Sequence, residues 1–354
     1  MRVKRNYGID LLRIVSMFFV IVLHLVGVGG ICMGAELLSV NFLTSQFLRT
    51  ATFCAVNVYA LISGYVGWSR TPKPSSLLSL WCKVICFCVG ITVLTQLRSP
   101  ELVGLQDLWK AFTPVTESKY WYFNAYVGLF FFIPLLNHGI RGIGRREAGF
   151  AMAGIAVLVM SLPFSKLNST LLLADGYSVL WLVILYLAGG LLARFEIPKR
   201  LSAGQWAVVY LLAVLANFLP RMVFLWLKPE YWTPATQNLA VQYTNPTIVL
   251  SAVALVGCFS RLELKEPAIQ VVKKLSPHSF GVYLAHTHIL IFHQYITGKL
   301  SSLGTAPLWE MLLKLFGVTL LIYAIGTAAD WAITVGMKLT RIDKLLKKAD
   351  KFIT

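Results

Sequence analysis

The stretch that decides the fold is YGIDLLRIVSMFFVIVLH, residues 7–24. It continues to residue 29 as an almost unbroken apolar run, and about twenty such residues are what an α-helix needs to cross the hydrocarbon core of a bilayer. The run is too long for the core of a removable signal peptide, and no cleavage pattern of small residues stands out after it. We therefore predict a membrane-spanning helix that starts near residue 9 and is retained.

The whole chain has the composition of a protein built from such helices. Of its 354 residues, 57% are hydrophobic and 13% are charged, whereas soluble domains have roughly 45–50% apolar and about 25% charged residues. Similar apolar runs recur, and they predict an all-α integral membrane protein with about ten transmembrane helices. The predicted spans are residues 9–29, 44–66, 77–97, 121–138, 148–164, 177–193, 204–226, 244–260, 279–298 and 310–337.

The positions of the basic residues predict the orientation. The chain has 32 Lys and Arg against 15 Asp and Glu, a net charge of +17. On a soluble protein this excess would suggest nucleic-acid binding, but here the basic residues cluster in alternate segments between the spans. That bias favours cytoplasmic N- and C-termini and an even number of spans. We predict one membrane domain over residues 1–340 and a basic cytoplasmic tail over residues 341–354.

Three ionisable residues interrupt the first span: Asp10, Arg13 and His24. Charge inside a bilayer is costly, so such residues are candidates for function. Arg13 and His24 are eleven residues apart, which puts them on one helix face and about 16 Å apart along its axis. An Arg near the cytoplasmic side can bind phosphates, and a deeper His can act as a general base. The alternative is structural, with Arg13 paired to Asp10 and His24 hydrogen-bonded to a neighbouring helix.

The sequence resembles the membrane acyltransferase-3 family at four places that follow one another along the chain. The first is the pair Arg13 and His24, separated by ten residues. The others are YALISGY at residues 59–65, WYFNAYVGLFFFIPLL at residues 121–136 and SFGVYLAHTHILIF at residues 279–292. The resemblance implies about ten helices with cytoplasmic termini, and it is strongest to the members that stand alone without an appended esterase-like domain.

The resemblance also implies a reaction and a set of site residues. An acetyl group would pass from cytoplasmic acetyl-CoA to a hydroxyl of a cell-surface or lipid-linked glycan, in the cytoplasmic membrane of a bacterium. His24 would be the general base or an acyl relay. Arg13, helped by Lys83 and Arg70, would bind the CoA phosphates. His286 matches a family position and is expected to contact CoA or substrate in the inner half of the membrane.

Two departures from the family pattern affect these assignments. Many members have an Arg pair just before or in the third span, where this chain offers only Arg70, Lys73 and Lys83. Many also have a Glu shortly after the tryptophan of the fourth span, where this chain reads FNAY at residues 123–126. The second phosphate contact is therefore assigned to Lys83, which is nearest in position to the missing arginines.

Other residues receive weaker assignments. Contacts with the substrate are expected from Asp10, Tyr65, Trp121 and Arg221. Arg221 is expected in the outer leaflet, where it would bind an acidic acceptor or stabilise an oxyanion, or else extend to the interface. The roles of Asp330, His288 and His293 stay open. No metal site is expected, because the histidines lack carboxylate or cysteine partners at ligand spacing. A homodimer is compatible with the sequence, but no motif requires one.

Two other classes of protein fit parts of the sequence. Ten spans with charges inside the membrane also suit a transporter or exporter of a lipid or glycan. Such proteins often carry interrupted helices in corresponding halves, and no such pairing is visible here. A sensor or scaffold without catalysis is the third reading, and the intact Arg13 and His24 pair argues against it. The expected partners are thus membrane lipid, acetyl-CoA and a glycan.

Overall fold

Residues 5–162, 167–233 and 241–352 are described by the computed structural model, and within them the backbone forms helices and loops without a β-strand. Among the described residues, six helical segments are long and apolar enough to cross a membrane. They are Tyr7–Gly34, Val40–Gly67, Pro74–Arg98, Trp121–Gly142, Ala203–Leu227 and Leu308–Leu339. Two further apolar helices, Val179–Arg194 and Pro246–Ser260, are shorter. The prediction of an all-α membrane protein is confirmed.

The helices are numbered in chain order. They are α1 Tyr7–Val26, α2 Ile31–Gly34, α3 Val40–Thr52, α4 Ala55–Gly67, α5 Pro74–Arg98, α6 Leu105–Lys110, α7 Trp121–Gly142, α8 Arg145–Ser161, α9 Leu167–Thr170, α10 Val179–Arg194, α11 Ala203–Leu227, α12 Pro246–Ser260, α13 Glu266–Leu275, α14 Ser279–Thr287, α15 Ile289–Ile291, α16 Leu308–Leu339 and α17 Ile342–Leu346. Each of the ten predicted spans coincides with helical structure over its described residues; residues 163 and 164 of the fifth predicted span lie outside them. The number of crossings and the side of each terminus stay predictions.

Two predicted spans are divided into shorter helices. The second consists of α3 and α4, which meet at Phe53 and Cys54. The ninth consists of α14, α15 and a π-helical turn over Phe292–Ile296. The first span also turns after Val26, where Gly30 has a φ of +95° that favours glycine. The second and ninth spans were each predicted as one segment. The interruptions at Phe53 and Cys54 and at His288 differ from that prediction.

Helix α1 is fixed at its N-terminal end by the residue that precedes it. The side chain of Asn6 accepts a hydrogen bond from the backbone N–H of Ile9 at 3.2 Å, which caps the helix. The same side chain donates to the carbonyl oxygen of Ser260 at 2.8 Å. Asn6 therefore joins the start of α1 to the end of α12.

The closest helix crossing lies between α4 and α10. A Cβ added at Gly64 would be 1.9 Å from the carbonyl oxygen of Tyr186, and one added at Gly189 would be 2.0 Å from that of Leu61. Both distances are too short for any side chain, so small residues permit the backbones to approach as they do in membrane helix pairs. The glycine of YALISGY is therefore required for packing.

A buried asparagine extends this contact to α7 and to the loop after α4. The amide of Asn137 donates to the carbonyl oxygens of Gly67 at 3.0 Å and of Arg70 at 2.8 Å. Its side-chain oxygen accepts from the Tyr186 hydroxyl at 2.9 Å. The segment that carries Arg70 is therefore held against α7 and α10.

Gly64→Ala is expected to destabilise the protein, because the added methyl group would overlap the backbone of α10. Overpacking of this kind typically costs about 1–3 kcal/mol. The measurement is the loss of helical circular dichroism on heating in detergent. Gly90→Ala in α5 is the matched control, since a Cβ there meets nothing within 4 Å. Equal unfolding midpoints for the two variants would contradict the assigned role of Gly64.

Candidate active site

One face of α1 carries the residues that line three successive cavities. These residues are Arg13, Met17, Val20, His24 and Gly27, spaced by four, three, four and three positions, which is the spacing of a single helix face. Arg13 lines the first cavity, Met17, Val20 and His24 line the second, and His24 and Gly27 line the third. The cavities therefore follow one another along the helix from its N-terminal end; they are called the inner, middle and outer cavities in that order.

The inner cavity has a volume of about 670 Å³ and a cationic wall. Arg13, Arg70 and Lys73 line it, together with Ser63, Ser76 and apolar or aromatic side chains such as Tyr126. Arg13 also pairs with Asp10 at 2.6 Å, and Arg5 reaches the other oxygen of that carboxylate at 2.5 Å. The ion pair between Arg13 and Asp10 that the structural alternative predicted is thus present. Arg13 nevertheless lines the inner cavity.

The middle cavity is narrow and aromatic. Its volume is about 40 Å³, and its lining includes Tyr59, Trp121, Tyr122, Tyr243, Phe280 and Tyr283. The hydroxyl of Tyr59 donates to the carbonyl oxygen of Arg13 at 2.6 Å, which joins α4 to α1 just below the constriction. Trp121, expected to contact substrate, lies in this wall and packs against Tyr177 with ring centroids 4.5 Å apart.

His24 lines both the middle cavity and the outer one, and its ring contacts that of His286. Nδ1 of His24 lies 3.1 Å from Nε2 of His286, and Nδ1 of His286 lies 2.6 Å from the carbonyl oxygen of Val282. A carbonyl oxygen only accepts, so Nδ1 of His286 carries a hydrogen. Buried rings avoid charge, and in neutral His286 the Nε2 atom must then accept from Nδ1 of His24. Nε2 of His24 is left with its lone pair.

The interruption of the ninth span allows two of its residues to contact His24. Helix α14 ends at Thr287, and His288 adopts an extended ψ of 131° before α15 begins. On a continuous helix His286 and Phe292 would point about 120° apart, yet Phe292 meets the His24 ring edge-on at 5.1 Å. Irregular backbone at membrane depth is tolerated where protein surrounds it.

The contact between the histidines corrects the expected depth of His286. His286 was placed in the inner half of the membrane and His24 beyond the midplane, but the 3.1 Å contact puts both rings at one level. Neighbouring His288 is buried, and within the described chain neither of its ring nitrogens has a hydrogen-bond partner. His293 is exposed.

The outer cavity has a volume of about 310 Å³ and a polar lining. His24, Arg49, Asp175, Tyr177 and Gln242 contribute its polar groups. Arg49 is almost fully buried, with 4% of its surface exposed. No role was predicted for Arg49 from the sequence. It lies inside the second predicted span, so the rule that selected Arg13, an ionisable residue within a span, would also have selected Arg49.

The expected contact of Arg221 with the acceptor is not supported. Its guanidinium donates to the side-chain oxygen of Gln46 and to the Thr50 hydroxyl at 3.4 Å. It lies close to Arg49, but Arg49 rather than Arg221 lines the outer cavity. Arg221 therefore does not line the outer cavity, and its hydrogen bonds connect α11 to α3 beside Arg49.

Asp10 and Tyr65 also lie away from the outer cavity. Asp10 is in the ion pairs at the start of α1, and Tyr65 is beside Ser260 at the end of α12. Both positions are at the end of the helix bundle where α1 begins and α12 ends. Neither residue contacts the region where an outer acceptor would bind.

Lys83 belongs to a separate buried ion cluster and not to the inner cavity. Its ammonium contacts both carboxylate oxygens of Asp330, at 2.9 and 2.8 Å. Nδ1 of His278 lies 2.6 Å from the same carboxylate. A Cβ at Gly281 would be 2.2 Å from Asp330, so this glycine makes room for the cluster. The assignment of Lys83 to the CoA phosphates is corrected, because its charge is balanced elsewhere.

The fold and the cavities together define a multi-pass membrane protein with a site that extends through its interior. A family model described as an acyltransferase domain matches residues 6–327. The chain therefore belongs to the acyltransferase-3 family and is a membrane acyltransferase. No curated protein and no solved structure matches the chain.

Asp330→Ala is expected to destabilise the protein by about 3–5 kcal/mol, because it leaves Lys83 buried without a counter-charge. Denaturant unfolding in detergent measures the effect, and Lys83→Met combined with Asp330→Leu should recover most of it. Lys314→Ala is the control, since it breaks an exposed pair with Glu310 that contributes at most about 0.5 kcal/mol. Similar losses from Asp330→Ala and Lys314→Ala would rule out a structural role for the buried pair.

Proposed function

We propose that the protein is an O-acetyltransferase of the bacterial cytoplasmic membrane. It moves an acetyl group from cytoplasmic acetyl-CoA to a hydroxyl of a cell-surface or lipid-linked glycan. The observation that carries this proposal is the position of His24, which lines both the aromatic middle cavity and the polar outer cavity on the face of α1 that also carries Arg13 in the cationic inner cavity. That arrangement suits a donor and an acceptor that enter from opposite sides.

The inner cavity is the proposed donor site. Phosphate groups are bound best by guanidinium and ammonium groups, and Arg13, Arg70 and Lys73 all line this cavity. Arg70 and Lys73 thus replace Lys83 in the expected phosphate contact. To bring the thioester to His24, the pantetheine arm would have to pass the aromatic constriction. The constriction has a volume of about 40 Å³, which is too small for the arm, so its side chains would have to move apart when the donor binds.

In the proposed reaction His24 is a general base. Nε2 removes the proton of the acceptor hydroxyl, and the oxygen attacks the carbonyl carbon of the thioester. The carbon–sulfur bond breaks, and the thiolate of CoA takes the proton from His24. His286 is a positioning residue, because its bond to His24 keeps the reactive lone pair on Nε2. A thiolate leaves readily, so the mechanism needs no separate general acid.

The second mechanism for the same residues is a covalent relay. Nε2 of His24 attacks the thioester carbon, the carbon–sulfur bond breaks and CoA leaves as a thiolate. The acetyl group then passes from the imidazole to the acceptor oxygen, whose proton ends on the CoA thiolate. The two mechanisms differ when no acceptor is present. Only the relay exchanges labelled CoA into acetyl-CoA under that condition. An isotope-exchange experiment without glycan therefore decides between them.

The outer cavity is the proposed acceptor site. Arg49, Asp175 and Gln242 line it, and such groups bind sugar hydroxyls and acidic sugar substituents through hydrogen bonds. The location next to His24 would place an acceptor hydroxyl within reach of Nε2. Arg49 takes the role that was expected of Arg221.

His24→Ala is expected to reduce acetyl transfer about 10²–10⁴-fold, because the general base is lost. The assay follows label from acetyl-CoA to isolated cell-envelope glycan, with the enzyme in nanodiscs. His293→Ala is the matched control, since this histidine is exposed on the same interrupted span. Transfer by His24→Ala at the wild-type rate would exclude His24 from the reaction.

His286 variants test the positioning role. His286→Leu offers no acceptor to Nδ1 of His24 and is expected to lower kcat about 10–100-fold with little change in KM. His286→Gln keeps a carbonyl oxygen close to the position of Nε2 and should recover most of the activity, because a hydrogen-bond acceptor is what orients the base. Equal activities of the two variants, at equal thermal stability, would contradict this role.

Arg13→Ala and Arg70→Ala are each expected to weaken acetyl-CoA binding about 10–100-fold, because each removes a charge-assisted hydrogen bond. Arg13→Lys should retain only part of the affinity, since an ammonium lacks the paired donors. Calorimetry in nanodiscs measures the dissociation constant. Lys199→Ala is the control, because Lys199 is exposed and pairs with Glu196. An unchanged constant in both arginine variants would place the donor elsewhere.

A further inference from the structure

A groove on the outside of the bundle has no part in the proposed acyl transfer. It lies between α13, the turn Ser276–His278 and α16, and its volume is about 940 Å³. It is distinct from the three cavities along α1, with which it shares no lining residue. Its lining residues are Lys273, Lys274, Leu275, Pro277, His278, Leu320, Tyr323, Ala324, Thr327, Ala328, Trp331, Thr334, Val335 and Lys338.

One end of the groove is basic. Lys273 and Lys274 are in the last turn of α13, and Lys338 is in the last turn of α16. No carboxylate is among the lining residues, and Asp330, just behind the groove, is already paired with Lys83 and His278. The basic end therefore carries up to three positive charges that complement an anion.

The rest of the groove is apolar and long. Leu320, Ala324, Ala328, Trp331 and Val335 line it from α16, at the spacing of a single helix face. The distance from the first to the last of these residues is about 22 Å at 1.5 Å per residue. The two alanines leave an open channel, and Trp331 is 61% exposed beside them.

We propose that this groove binds one anionic phospholipid. The headgroup phosphate contacts Lys273, Lys274 and Lys338, and an acyl chain lies along the apolar face of α16. Basic pockets between helices at the cytoplasmic side of a membrane recognise anionic headgroups in this way. The groove extends for about 22 Å along apolar side chains, which suits an acyl chain better than the polar nucleotide of CoA, and a neutral lipid would leave the lysines without a counter-charge.

A bound lipid is expected to stabilise the folded protein, because a ligand that binds only the folded state raises its stability. It would join α13 to α16. Lys273 also lies 5.2 Å from the ring of Tyr7 at the start of α1. The lipid would therefore connect three helices at one end of the bundle.

The test compares phosphatidylglycerol with phosphatidylcholine on the full chain after delipidation in detergent. Native mass spectrometry counts the lipids retained, and thermal unfolding measures the stabilisation. Phosphatidylglycerol is expected to bind on the order of 10²-fold more tightly, given three lysines at the headgroup, and to raise the unfolding midpoint. Equal binding of the two lipids would overturn the proposal.

Variants at the groove lysines and at Ala328 test the headgroup contact and the acyl-chain contact separately. Replacing Lys273, Lys274 and Lys338 with Gln should abolish the preference, whereas replacing the exposed tail residues Lys344, Lys347 and Lys348 with Gln removes the same charge and should preserve it. Ala328→Phe fills the channel without altering charge and should weaken phosphatidylglycerol binding. Normal binding in Ala328→Phe, or a loss of preference in the tail variant, would overturn the site.

Free anions distinguish a lipid from a soluble phosphate ligand. Inorganic phosphate and CoA are added to the delipidated protein at matched concentrations. Any rise in the unfolding midpoint that either anion causes is expected to be the same in the wild type and in the variant without Lys273, Lys274 and Lys338. Stabilisation by either anion that is lost in the triple lysine variant would assign the groove to a soluble ligand. This result is independent of acetyl transfer, because it is read from binding and stability alone.

Discussion

A polar group inside a bilayer must find its partner within the protein, since the surrounding hydrocarbon provides none. This requirement explains the positions of most charged residues inside the bundle. Lys83 and His278 share Asp330, Arg221 uses Gln46, and each contact joins helices that are distant in sequence. The histidine pair follows the same rule, and its second hydrogen bond to backbone decides which nitrogen keeps its lone pair. Structure and proposed chemistry thus depend on one constraint.

The sequence predicted the helices and one face of the site. Apolar runs located every span, because a membrane selects for length and hydropathy more than for detailed packing. The spacing of Arg13 and His24 placed both on one side of α1, and the three cavities lie along that side. The same rule applied to the second span would have found Arg49. These features are local, and a single helix is enough to define them.

Contacts between distant segments could not be predicted. His24 and His286 are 262 positions apart, and Lys83 and Asp330 are 247 positions apart, and no helical periodicity relates such residues. The break at His288 was also hidden, because no proline or glycine marks it in the sequence AHTHILIF. The errors for Lys83, Arg221 and the depth of His286 share this cause. Each residue was assigned from its own span, and its partner lies on another.

The narrow aromatic cavity between the two larger ones has a consequence for the energetics of the cell. Its volume of about 40 Å³ leaves room for only a few water molecules, since one water needs roughly 10–15 Å³ of such space. A continuous column of water would conduct ions and protons, each releasing about 2.3 kcal/mol per 100 mV of membrane potential. If donor and acceptor enter from opposite sides, as proposed, the aromatic side chains around Met17 and Val20 would have to interrupt such a column. The proposed reaction would then leave intact the gradient that powers the cell.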